Sequence, residues 1–142
     1  MPTRNASATW EGGLQKGKGS FKGESGVIAG AYSFGTRFGE EKGTNPEELL
    51  AAAEAACFSM ALSLGLEQNG TPPTRVETKV ACTVEKGADG FSITKMRLDV
   101  RAQVPNIDEA KFRQIAEGTK KGCPVSRALA GIPSIEMEAT LV

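Results

Sequence analysis

From Leu49 to Leu66 the chain runs through eighteen residues with one charge, Glu54. The stretch is dominated by Ala, Ser and Gly rather than large aliphatics, and Glu47 and Glu48 precede it. Its start carries a strong helix signature. Asn45 is a good N-cap, Pro46 suits the first helical position, and Glu48 stands three residues after the cap, as in a capping box. Asn69-Gly70 ends the helix at about Gln68, and Pro72-Pro73 prevent its return. A helix this long and apolar nearly all round is either a membrane span or the buried centre of a fold. Its small side chains favour the second, because they suit close packing inside a protein.

The remaining elements fit around such a helix. Residues 6 to 38 are Gly-rich with β-prone residues between, at Ala6, Thr9-Trp10, Ser20-Phe21 and Tyr32-Phe34, which reads as a meander of short strands. Gly17-Lys18-Gly19 opens no helix, so it is no phosphate loop, and its glycines read as turn glycines. After the long helix, 76–85 and 91–104 alternate with period two, as in Val80-Cys82-Val84 and Met96-Leu98-Val100, the pattern of a half-buried antiparallel pair. Asp108 caps a second helix with an inner face of Phe112, Ile115, Ala116 and Thr119, and Gly122 stops it. Cys123-Pro124 starts a short third helix, and 135–142 is a last strand. The order predicts an α+β fold with antiparallel sheets and a long buried central helix. A length of 142 residues without repeat or linker predicts one domain.

Charge and composition narrow the function. Seventeen basic and seventeen acidic residues give no net charge and no basic face, so neither nucleic acid nor an anionic membrane is an expected partner. The first residues have no apolar core of signal-peptide length, which predicts a cytoplasmic protein whose cysteines are held reduced. There is no histidine. Chemistry that needs an imidazole, including Ser-His-Asp, Cys-His and His-ligated metals, is excluded.

Three cysteines remain. Cys82 shares a strand face with Val80 and Val84 and reads as a small buried hydrophobe. Cys57, in mid-helix, gets no help from a helix start, and burial raises a thiol pKa. It is therefore core unless a fixed cation reaches it, and that cation has to be arginine, because a buried lysine loses its charge. Cys123 lies at or just before a helix N-terminus, with Lys120, Lys121 and Arg127 nearby, so a packing role and a reactive one both stand. Two such cysteines without a general base point to thiol redox chemistry rather than acyl transfer.

Gly43-Thr44-Asn45-Pro46-Glu47-Glu48-Leu49, then Ala55-Ala56-Cys57-Phe58, then Gly122-Cys123-Pro124-Val125-Ser126, resembles the OsmC/Ohr family of organic hydroperoxide reductases. Gly35-Thr36-Arg37-Phe38 is closer to its OsmC branch, and the resemblance runs from Trp10 to the C-terminus. It implies a single OsmC-like domain over 1–142, an intertwined homodimer with active sites at the subunit interface, and no cofactor or metal. It also implies Cys57 as peroxidatic cysteine, Cys123 as resolving cysteine, and Arg37 and Glu47 as their partners. The substrate is then an organic hydroperoxide, and the reductant a dithiol, usually borne by a lipoylated protein.

The residues add two tests of their own. Beside sulfur a carboxylate raises the thiol pKa, so Glu47 makes sense only if it grips Arg37 from the far side. Ten helical positions put Glu47 about 15 Å along the helix from Cys57. If all three form one site, Glu47 comes from the partner subunit. An apolar approach lined by Phe34, Phe38, Phe58 or Met60 favours alkyl or fatty-acid hydroperoxides over hydrogen peroxide. The alternative is non-enzymatic: a stress-induced protein that binds an apolar ligand in its interface cleft, with cysteines that only pack.

Overall fold

A computed structural model describes residues 1–142. The chain forms two units, Met1–Leu49 and Leu50–Val142. In the first, β1 (Ala6–Glu11), β2 (Lys18–Gly23) and β3 (Ala29–Tyr32) make an antiparallel meander in that order. The register sets Gly19 between Trp10 and Tyr32. A Cβ there would lie 2.6 Å from the Tyr32 ring and 2.7 Å from that of Trp10, whose centroids are 5.4 Å apart. Gly19 is thus a strand glycine that makes room for an aromatic pair rather than a turn residue. Gly17 is the turn glycine, its N–H donating to Gly13 O at 2.7 Å.

A short helix, α1 (Phe34–Phe38), follows β3 where the sequence pattern shows only the end of the meander. Its cause is local. Ser33 Oγ accepts from the Thr36 N–H, and Thr36 Oγ1 accepts from the Ser33 N–H, a reciprocal cap. Asn45 does two jobs: its Oδ1 accepts from the Glu48 N–H at 2.8 Å, and its Nδ2 donates to Thr36 O at 2.8 Å. The first caps α2 (Pro46–Gln68) and the second ties α1 to that cap.

In the second unit, β4 (Arg75–Gly87) and β5 (Gly90–Gln103) form an antiparallel hairpin with a bulge at Thr83/Val84. Asp108 caps α3 (Glu109–Gly122), accepting from the Lys111 N–H at 2.8 Å. After α4 (Pro124–Ala128), β6 (Ser134–Leu141) departs from the antiparallel expectation and pairs parallel with β5. The reason is the crossover through α3 and α4, which returns the chain to the end where β5 began. Lys95, Arg97, Glu136 and Glu138 line an exposed face of that pair with contacts of 3.0–3.4 Å. Lys95, and then Arg97, hold the Glu136 carboxyl below its ordinary range.

The core takes Phe58, Leu62 and Leu66 from α2, Met96, Leu98, Val100 and Ala102 from β5, Phe112 and Ala116 from α3, and Cys123. A Cβ at Gly65 would meet Ile115 Cγ2 at 3.0 Å, so glycine there permits the close approach of α3 to α2. By length and composition α2 is also the one helix able to cross a membrane. Its Glu54, Phe58, Leu62 and Leu66 face is buried within the fold, whereas Ala52, Ala53, Ala56, Met60 and Leu64 are exposed.

Candidate active site

The six-residue linker between α1 and the Asn45 cap brings Arg37 back over the first turn of α2. Glu47 there is buried, at 5% exposure. Its Oε1 accepts from Arg37 Nε at 3.1 Å and Nη2 at 2.8 Å, and its Oε2 from Nε at 3.2 Å. The carboxylate thus holds one edge of the guanidinium and leaves the Nη1 edge open, the far-side grip that the sequence argument demanded. The Phe38 ring steadies the group from another side, 4.9 Å from Cζ. Phe34 and Phe38 line a cavity of about 200 Å³ beside Arg37, with Trp10, Leu14 and Tyr32. The other two candidate aromatic or thioether residues sit elsewhere: Phe58 is fully buried in the core, and Met60 is 79% exposed on the outward face of α2.

Cys57 and Cys123 form the second cluster. A hydrogen bond joins their sulfurs at 3.0 Å, and both are free thiols. Cys57 is half-buried while Cys123 is fully buried at the start of α4, with Pro124 at the first helical position. Helix α4 turns its amides toward the other cysteine, since the Val125 N–H donates to Cys57 sulfur. Burial pushes the Cys57 thiol up, and the hydrogen bond with Cys123 acts in the same direction. The Val125 amide opposes them, and the charges of Cys123 and Glu54 add to the rise. No cation is among these influences. These influences make Cys57 less acidic than an ordinary thiol, and a thiolate at neutral pH needs a nearby positive charge. Cys82 is half-buried and packs against the core, as its strand position predicts.

Two pairs are thus assembled, Arg37–Glu47 in the first unit and Cys57–Cys123 in the second. The OsmC-like protein family matches residues 39–138. Peroxiredoxin OsmC of Escherichia coli (strain K12) is 49% identical over 127 residues, covering 89% of each chain. This chain belongs to the OsmC family. A more distant relative is the organic hydroperoxide resistance protein OhrB of Bacillus subtilis (strain 168), 30% identical over 99 residues, which cover 69% of this chain and 71% of that one. The crystal structure of OhrB of Bacillus subtilis superposes with a TM-score of 0.71 and 25% identity, over 97% of this chain and 98% of that one. The likeness to the Ohr branch extends through the fold.

One polar pair beside Cys57 and Cys123 belongs, as a pair, to no motif in the sequence. Glu54 is buried, at 1% exposure, and its Oε1 accepts a hydrogen bond from Ser126 Oγ. Its Oε2 is buried without a hydrogen-bond partner. The available signal was spacing: Glu54 is three residues before Cys57, Ser126 three after Cys123, and Glu54 is the one charge in an apolar run.

Proposed function

We propose that this OsmC-family protein is a thiol-dependent peroxidase that reduces organic hydroperoxides, and hydrogen peroxide more weakly. The observation that carries the reading is the 3.0 Å approach of Cys57 and Cys123 sulfurs, both reduced. The Cys57 thiolate attacks one peroxide oxygen, the O–O bond breaks, and the alkoxide leaves and takes up a proton, with Cys57 now a sulfenic acid. Cys123 then displaces water from that sulfur to form a disulfide, which a dithiol, such as one carried by a lipoylated protein, reopens by exchange.

The thiolate needs a cation, and here the reading calls for a second copy of the chain. Glu47 ties Arg37 to the second residue of α2, while Cys57 is the twelfth, about 15 Å further along the helix. In a homodimer whose two α2 helices run antiparallel across a two-fold, the start of one helix faces the middle of the other. Each Arg37 then serves the partner subunit's cysteine, its open Nη1 edge toward the peroxide and the departing oxygen. The exposed stripe of Ala52, Ala56, Met60 and Leu64 supports this arrangement. Its small residues let two helices approach, and covering Met60 and Leu64 contributes about 1.5–3 kcal/mol each. Phe34 and Phe38 give the approach an apolar wall suited to alkyl chains. On this reading both units act as one OsmC-like domain in a soluble, cytoplasmic homodimer.

Intact-mass measurement after one equivalent of cumene hydroperoxide tests the chemistry. The expected product is lighter by two hydrogens and carries the Cys57–Cys123 link on peptide mapping. An unchanged mass identifies instead a protein that binds apolar ligands without reacting.

A further inference from the structure

We infer that the Glu54–Ser126 pair is a clamp that holds Cys123 against Cys57 for the step in which the disulfide forms. This rests on the peroxidase reading above and assigns a positioning role within it. Helix α4 has five residues and no side-chain cap. A helix so short has little stability of its own, so its place is set by what ties it down. Three polar ties join it to α2. Two end on Cys57 sulfur, from the Cys123 thiol and the Val125 N–H; the third is the bond from Ser126 Oγ to Glu54 Oε1. Each partner of the third tie is three residues from a cysteine, so 54 and 57 share one face of α2 as 126 and 123 share the start of α4.

The ties behave differently during turnover, because two of them end on the sulfur that reacts. Peroxide converts Cys57 to a sulfenic acid, and the thiol–thiol bond that held Cys123 in place is lost. The carboxyl–hydroxyl bond touches no reacting atom and survives. Stability alone does not account for it, because a buried carboxyl with one oxygen unpartnered destabilises an otherwise apolar face. Its service is to keep Cys123 in line while the step proceeds. Cys123 sulfur supplies the electron pair of the new S–S bond, the S–O bond of the sulfenic acid breaks, and oxygen leaves as water with the proton from the Cys123 thiol. If Cys123 drifts, a second peroxide oxidises Cys57 to the sulfinic acid first.

The partition between these two fates is the readout. With reduced dimer and excess cumene hydroperoxide, Ser126→Ala should lower the ratio of disulfide to sulfinic acid at Cys57 by about tenfold or more, a misplacement effect, with the loss in the second step and not the first. Ser126→Thr, which keeps the hydroxyl, should restore the ratio. Because Ser126→Ala strands a buried carboxylate, the paired change of Glu54→Met with Ser126→Ala removes both polar groups and provides a folded test of the same loss. A wild-type ratio in either folded variant overturns the clamp alone. Failure of the wild type to form any Cys57–Cys123 disulfide overturns the peroxidase reading, and the clamp with it.

Discussion

Cys57→Ser is expected to bring peroxide turnover down to the rate in buffer, whereas Cys123→Ser is expected to keep a first oxidation and lose the cycle. The two thiols are 3.0 Å apart, so their roles separate by environment rather than by distance. Cys57 is the half-buried one, open to a substrate and receiving the Val125 N–H. Cys123 is fully buried and meets Cys57. A serine hydroxyl at 57 stays protonated at neutral pH and is a poor nucleophile toward an O–O bond, so nothing replaces the lost thiolate. With serine at 123 the sulfenic acid forms but has no resolving partner. Single-turnover kinetics should show one peroxide consumed per chain, and mass spectrometry should show sulfinic acid growing with each further addition. Full turnover by Cys57→Ser, or sustained turnover by Cys123→Ser without added thiol, contradicts this division of labour.

Arg37→Met is the second large effect. It keeps a long side chain and removes the charge. The loss should be about 10²–10³ in the rate of Cys57 oxidation, the usual cost of one group that stabilises developing negative charge. The sign of the pH dependence follows from the thiol. The reactive form is the anion, so the rate rises with pH through the Cys57 pKa and levels above it. Without Arg37, burial and the Cys123 hydrogen bond are unopposed by any cation, and the inflection moves to higher pH. The variant should therefore be most impaired at neutral pH and recover part of its deficit in alkali. Mixing Arg37→Met with Cys57→Ser tests which subunit supplies the arginine. Each homodimer is inactive, but a mixed dimer regains one complete site if the arginine acts across the interface, giving about a quarter of wild-type activity after random exchange. A mixture that stays inactive places the arginine and cysteine of a site in the same chain.

What the residues announced and what they concealed divide along the range of the interaction. Asn45 and Asp108 cap the helices assigned to them, because an N-cap is decided by neighbours three residues away. The alternation of Val80, Cys82 and Val84 against Met96, Leu98 and Val100 marked β4 and β5 for the same reason. Helix α1 was equally local, yet its cap uses Thr36 where the usual signal is Glu or Gln, and the glycines around it point to strands and turns. The direction of β6 was out of reach, since alternation tells which side chains share a face and nothing about the sense of the strand. The burial of Phe58 was also hidden. A helix apolar all round has no stripe to declare which face turns inward, so 54, 58, 62 and 66 were indistinguishable from 52, 56, 60 and 64. Glu54 and Ser126 are 72 residues apart, and only the fold brings them together. The Arg37–Glu47 grip rested on two things: the family resemblance, which picked out both residues, and charge logic, since a carboxylate is tolerable near a thiolate when it binds the cation from behind.

The proposed chemistry depends on a Cys57 thiolate. In one chain, burial, Cys123 and Glu54 all hold that thiol above its ordinary value, and the Val125 amide is the only opposing group. Titration of Cys57 in the reduced dimer, followed by thiolate ultraviolet absorbance in a Cys82→Ala, Cys123→Ser background, measures the missing contribution. The account predicts a pKa well below the usual value of about 8.5 for a free cysteine, rising above it when Arg37→Met is added. A Cys57 that titrates at or above the ordinary value with Arg37 in place contradicts it.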